Sequence, residues 1–295
     1  MIDKTYRNAF ITLIIANLIW GSQAIFWKFL SDVSLNTILV HRILWGAFFC
    51  VLLLSAQKRW SEMKNAVRSP KDILFILINS ALLAGNWLIF IWLININKIV
   101  ELSLGHFMSP LLVILFGRII YKEHCTRGQT IALFCCLAAI IYQSITLGRL
   151  PLNALAVAAV FSLFALSKKM SHLKPLPSMT IDVVILSIIT LIWVGYTTPT
   201  NHFDFPITKH LLFACGGLIT VLPMIFYAHG ARVCGLKITG LLQYMAPILS
   251  LLIGVLIYNE PFGFDKIVTF SLIWTGLSLC TFEAFYRQKN NRLKS

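Results

Sequence analysis

LGHFMSPLLVILFGRIIYKE (residues 104–123) and LLQYMAPILSLLIGVLIYNE (residues 241–260) are one stretch written twice. They align without a gap at an offset of 137. Nine of the 20 positions are identical, among them Met108/Met245, Pro110/Pro247, Gly117/Gly254, Tyr121/Tyr258 and Glu123/Glu260. About twenty apolar residues in a helix span the roughly 30 Å hydrocarbon core of a bilayer. Each copy is interrupted near its first third by a proline and closes on an aromatic residue and a carboxylate. A soluble core rarely needs one such helix, and this chain has two.

The composition points the same way. Of 295 residues, 58% are hydrophobic and 12% charged, against about 25% charged in soluble globular chains. A polytopic membrane protein follows. The net charge of +14 would suit a nucleic-acid binder, but the basic residues are distributed as topology signals, so no nucleic acid is expected as a partner. The seven cysteines show no metal-ligand spacing. Cys50, Cys135, Cys136, Cys215 and Cys280 lie in apolar runs, where cysteine behaves as a small hydrophobe, and no disulfide framework is implied. Neither a metal, a cofactor nor a catalytic constellation is expected.

Ten segments approach the length of a membrane span: 9–30, 36–56, 73–95, 101–120, 128–147, 152–167, 179–198, 210–230, 236–257 and 264–286. The sixth is the shortest, and the first is too long for a signal-peptide core. With the N-terminus in the cytoplasm, 19 of the 25 Lys and Arg fall on inside segments and four, Lys98, Arg149, Lys209 and Lys266, fall outside. Lys28 and Arg42 lie within spans. This asymmetry predicts ten spans in a bacterial inner membrane with both ends inside.

Spans four and nine are five apart, so the two copies of the repeat cross the membrane in opposite directions. The flanks agree: Ala24 and Lys28 of span one match Ala165 and Lys169 of span six at an offset of 141. The expected organisation is all-α, two five-helix halves, 1–147 and 148–295, in inverted topology. That plan recurs in secondary transporters.

At this point the residues resemble a known family. Ile19-Trp20-Gly21, His41-Arg42-Ile43-Leu44-Trp45, Gly85-Asn86-Trp87 and Phe90-Ile91-Trp92 stand in the first half. Glu101-Leu102-Ser103-Leu104-Gly105, Pro110, Gln243-Tyr244, Pro247, Asp265-Lys266 and Ile273-Trp274 follow in order. Together they resemble the drug/metabolite transporter superfamily, EamA type, RarD branch, whose name comes from a link to chloramphenicol sensitivity. His106 departs from the pattern, where an aromatic Tyr is expected. The resemblance implies a permease with ten helices in two inverted halves. It also implies a cavity lined by spans one, three, four, six, eight and nine, with five and ten peripheral.

The candidate solute-contacting residues gather on polar stripes. A proline has no N–H and its ring clashes with the carbonyl four residues back. Pro110 therefore frees the carbonyl of His106, and Pro247 that of Gln243, and lipid offers them no replacement donor. Ser103, His106 and Ser109 share one face, as do Gly240, Gln243, Ala246 and Ser250. One reading is a cavity wall; the other is a kink filled by a neighbouring helix. In span three, Asn79 and Asn86 share a face and Trp87 follows, while Thr220, Pro223 and Tyr227 share a face of span eight. Asn86 is read either as a solute contact or as interhelical glue, and Trp87 and Trp92 as cavity wall or lipid-facing. The set is Asn86, Trp87, His106, Ser109, Pro110, Thr220, Tyr227, Gln243, Tyr244 and Pro247.

Intramembrane charge adds Arg42 and Lys28. Arg42 is expected either to snorkel or to pair with a carboxylate such as Glu101, and Lys28 to snorkel. Asp182 and Glu283, near span ends, are expected to reach water. Small residues form two more stripes, Gly128/Ala132/Cys136 and Gly276/Cys280/Ala284, read as packing within the monomer. The function expected is a permease working by alternating access on a small polar or amphipathic metabolite or drug. The rival is an integral-membrane enzyme acting on a lipid or isoprenoid. Its acid/base or metal work would need clustered loop carboxylates and histidines, and here Glu62, Asp72, Glu123, Glu260 and Asp265 are scattered. The partners expected are the solute and the bilayer, with a homodimer left open.

Overall fold

Each apolar run becomes helix in the computed structural model, which describes residues 4–63, 70–122, 124–169, 173–197 and 200–292. Glu123 of the repeat, and Lys64, Arg68 and Lys294 of the charge count, lie outside the described residues. The helices are α1 (Lys4–Lys28), α2 (Leu35–Ala56), α3 (Pro70–Asn95), α4 (Ile99–Tyr121), α5 (Arg127–Leu147), α6 (Leu152–Lys169), α7 (Pro175–Thr197), the single turn α8 (Thr200–Phe203), α9 (Ile207–Gln243), α10 (Met245–Leu252) and α11 (Phe264–Arg292). A 3₁₀ turn occupies Trp60–Met63 and a π-helical segment Ile253–Ile257. Among the described residues there is no strand, and nine helical stretches are long and apolar enough to cross a membrane. The tenth, Leu152–Lys168, is shorter. The protein is an all-α, multi-pass membrane protein.

Local chemistry explains most boundaries. Ser34 caps α2, accepting from the Thr37 N–H at 3.3 Å. Thr126 and Gln129 form a reciprocal capping box at α5, whose far end is closed by Gly148 at φ 64°. Prolines open α3 and α7, where the missing N–H costs nothing. Spans eight and nine meet within α9 at a kink, where the chain leaves helical geometry at Gly235, φ 76°, ψ 166°, a region open to glycine almost alone; Ile207–Gly235 and Ile238–Ile257 are each long enough to cross a membrane. Outside the apolar helices, hydrogen bonding to the Arg59 guanidinium, with Lys174 adding to it, holds the Glu62 carboxyl down at about 2. The bond from Lys209 lowers Asp32 in the same way.

The chain forms two compact units, Met1–Ile96 with Ser167–Ser250, and Asn97–Leu166 with Leu251–Ser295. In the first, α9 packs against α1 and α2 through bare glycine backbone. A Cβ on Gly230 would lie 2.7 Å from the Ala9 carbonyl oxygen. One on Gly217 would lie 2.4 Å from the Trp45 Cβ, and one on Gly21 2.8 Å from the Ala246 carbonyl oxygen. In the second, the two small-residue stripes meet each other. A Cβ on Gly276 would lie 3.0 Å from the Cys135 Cβ and 3.1 Å from the Ala132 Cα.

Two carboxylates expected in water are instead structural. Asp182 is 1% exposed and paired with Lys168, which also donates to Ser178 at 2.7 Å. Glu283 accepts from the Gly128 N–H at 2.6 Å and the Thr126 hydroxyl at 2.5 Å, satisfying the first turn of α5. Glu260, which closes the second copy of the repeat, does the same for α4. It is 7% exposed and accepts from the Ile99 and Val100 N–H groups at 2.6 and 2.8 Å, where the helix dipole favours negative charge.

Candidate functional site

The first unit carries most of the candidates. Arg42 lies seven residues, about 10 Å, along α2 from Leu35. It is 5% exposed. Three rings surround its guanidinium carbon: Trp27 of α1 and Trp87 of α3, each with its centroid at 4.8 Å, and Phe90 of α3 at 5.4 Å. No carboxylate pairs with it among the described residues, and its Nε and Nη1 are buried without a hydrogen-bond partner. The Glu101 carboxylate is engaged by Lys98 at 2.9 Å and Asn153 at 2.7 Å. Lys28 closes α1 in its last turn and is half-buried.

Trp87 and Trp92 separate. Trp87 is buried at 5% exposure over Arg42, whereas Trp92 is 40% exposed. Trp87 and Phe90 are three apart and so share a helix face, a signal present in the sequence. Trp27 as their third partner was missed, because it comes from another helix. Asn79 is buried and accepts from the Ser167 hydroxyl, which fits interhelical glue; Asn86, one face-repeat along, is half-buried.

Pro223 of α9 frees the carbonyl of Ile219 by the rule applied to Pro110 and Pro247. That carbonyl accepts from the Gln23 side-chain amide of α1 at 3.0 Å. The Gln23 oxygen in turn accepts from the Trp27 indole N–H at 3.5 Å. Here a neighbouring helix fills the freed carbonyl, and Gln23 was not anticipated. Thr220 is buried and donates to the Gly216 carbonyl at 2.8 Å. Tyr227 lies against Trp20, ring centroids 5.3 Å apart, and its hydroxyl stands 3.4 Å from the Gln243 Oε1. Gln243 is exposed at the end of α9, Tyr244 is half-buried at the turn, and Pro247 is buried in α10.

In the second unit, His106 is half-buried, bonded to the Leu102 backbone and edge-on to Phe161 at 5.7 Å. Ser109 is buried and donates to the Gly105 carbonyl at 2.8 Å. The Ser162 hydroxyl of α6 shares its one proton between the Ala158 carbonyl of its own helix at 2.5 Å and the Ser109 carbonyl at 2.8 Å. Helix α4 runs unbroken through Pro110.

A family model named the EamA-like transporter family matches residues 7–145 and again 150–282. The chain belongs to this family. Each matched segment contains one copy of the repeated stretch, and the family's fold is a pair of inverted repeats. Protein RarD of Salmonella typhimurium is 32% identical over 289 residues, covering 97% of this chain and 98% of that protein. An uncharacterized transporter, YojE, of Bacillus subtilis is 34% identical over 272 residues, 90% of each chain. A protein of Pseudomonas aeruginosa named chloramphenicol-sensitive protein RarD is 26% identical over 249 residues, covering 82% of this chain and 83% of that protein. One solved structure superposes with a TM-score of 0.58 at 18% identity, covering 97% of this chain and 99% of its own. At that identity the match shows the fold alone. This EamA-like, RarD-branch protein is therefore a membrane transporter of the drug/metabolite type.

Proposed function

We propose that the chain is an inner-membrane permease that moves a small polar or amphipathic metabolite or drug by alternating access, with both termini in the cytoplasm. The observation that carries this reading is the double match to a transporter family. The 19:4 split of basic residues supports the orientation. Within this reading Tyr227 and Gln243 are the polar side chains of the first unit assigned to the solute.

Purified protein screened by thermal shift against amino acids, nucleosides and chloramphenicol should yield a stabilising compound, since binding raises apparent stability by mass action. Loaded into proteoliposomes, that compound should exchange across the membrane chemically unchanged. Conversion into a product instead would favour the lipid or isoprenoid enzyme. Reporter fusions at Lys174 and Phe203 should read cytoplasmic and periplasmic respectively, and the reverse pattern would overturn the orientation.

A further inference from the structure

Among the described residues, four hold a buried side-chain nitrogen or oxygen with no hydrogen-bond partner: Asn17, Arg42, Asn95 and Gln143. Arg42 is the charged one, and two of its atoms are in that state. Other buried charges are compensated, Asp182 by Lys168 and Glu260 by two backbone N–H groups. Among the described residues, Arg42 is met by the π faces of Trp27, Trp87 and Phe90. Rings stabilise a cation through their quadrupoles, but modestly. They cannot accept the in-plane N–H bonds of a guanidinium, and a buried cation left without an anion is costly.

We propose that Arg42, walled by Trp27, Trp87 and Phe90, is an anion-binding subsite that takes the carboxylate of a small amphipathic solute. A guanidinium is planar, stays charged and presents its N–H groups as a fork that fits a carboxylate. A monoanion matches the single uncompensated charge, and the surrounding aromatic surface favours an apolar body behind it. The bond network links the site to α9: Trp27 is tied through Gln23 to the carbonyl that Pro223 frees. That the ligand is also the cargo rests on the permease reading; the site itself does not.

The probe is benzoate, with benzyl alcohol and benzylamine as neutral and cationic controls of similar shape, on purified full-length protein. Benzoate should shift the melting temperature and change tryptophan emission saturably, because two of the site's walls are indoles, and the controls should not. Arg42→Lys keeps the charge and loses the fork. It should weaken benzoate binding about ten- to a hundredfold, the loss of one or two charge-assisted bonds, and Arg42→Gln should abolish it. Should both variants fail to fold, the wild-type comparison still decides. Equal responses to benzoate and benzyl alcohol, or none to benzoate, overturn the site. Benzoate binding lost in Arg42→Lys, together with no benzoate exchange in proteoliposomes, leaves the site standing and removes the cargo assignment. Exchange of a neutral compound with no benzoate response does the opposite.

Discussion

The two copies of the repeat share a proline and nine identities, yet their backbones differ. Helix α4 passes through Pro110 in regular α geometry, whereas the second copy tightens to a turn at Tyr244, whose backbone stays helical, and turns π-helical over Ile253–Ile257. The residue before each proline carries the contrast. The Ser109 carbonyl receives the Ser162 hydroxyl. The equivalent Ala246 carbonyl faces Gly21, so closely that a Cβ there would lie 2.8 Å away. Gly21 and Ser162 are themselves equivalent at the offset of 141 that relates spans one and six. Beside the proline, one half places a hydroxyl donor from the neighbouring helix and the other a bare glycine backbone.

The largest effect should come from removing the close approach. Gly21→Val forces methyl groups against the Ala246 carbonyl and Leu249, and should destabilise by about 3 kcal/mol, the upper end for overpacking. Yield of monodisperse protein and melting temperature read this. Gly21→Ser should also destabilise, although it copies Ser162. If it stabilises instead, space is not what separates the halves.

Next come the prolines themselves. Pro247→Ala restores an N–H for the Gln243 carbonyl and should stiffen Ile238–Ile257, slowing exchange of the identified solute about tenfold, some 1.4 kcal/mol. Pro110→Ala, in a helix already continuous, should slow exchange less. Hydrogen exchange at the new amides would show whether each bonds four residues back. Equal losses of transport would erase the asymmetry.

Ser162→Ala should cost about 1 kcal/mol, the net worth of a buried hydrogen bond, read as a lowered melting temperature with Ser162→Thr as partial rescue. The smallest effect serves as a control away from both copies. Glu62 has its pKa depressed from 4.5 to about 2 by Arg59 and then Lys174. Its stabilisation is present above pH 4.5 and lost as pH falls through about 2. The melting temperatures of wild type and Glu62→Gln should therefore differ slightly at pH 7 and converge in acid. A difference that grows on acidification would reverse the sign.

Much of this was legible in the residues. Hydropathy gave ten spans to within a few residues, the repeat gave the paired prolines, and small-residue spacing gave the packed stripes of α5 and α11. These follow from local physics, since a bilayer demands a set length of apolar helix and a glycine or proline acts on its own backbone. Other features depended on partners far along the chain. Arg42 was visible as an intramembrane charge, but its rings come from helices one and three. Glu260 was read as a scattered loop carboxylate, and caps a helix that starts 161 residues earlier. Gln23 carries no sequence signal linking it to Pro223. The sequence by itself determined that this is a twice-repeated, proline-marked membrane transporter. Only the tertiary structure decided which freed carbonyl is filled, which glycine is pressed against backbone and which charge lacks an anion. A hydrogen bond or a clash is set by distances of a few ångströms in space, and spacing along the chain does not record them.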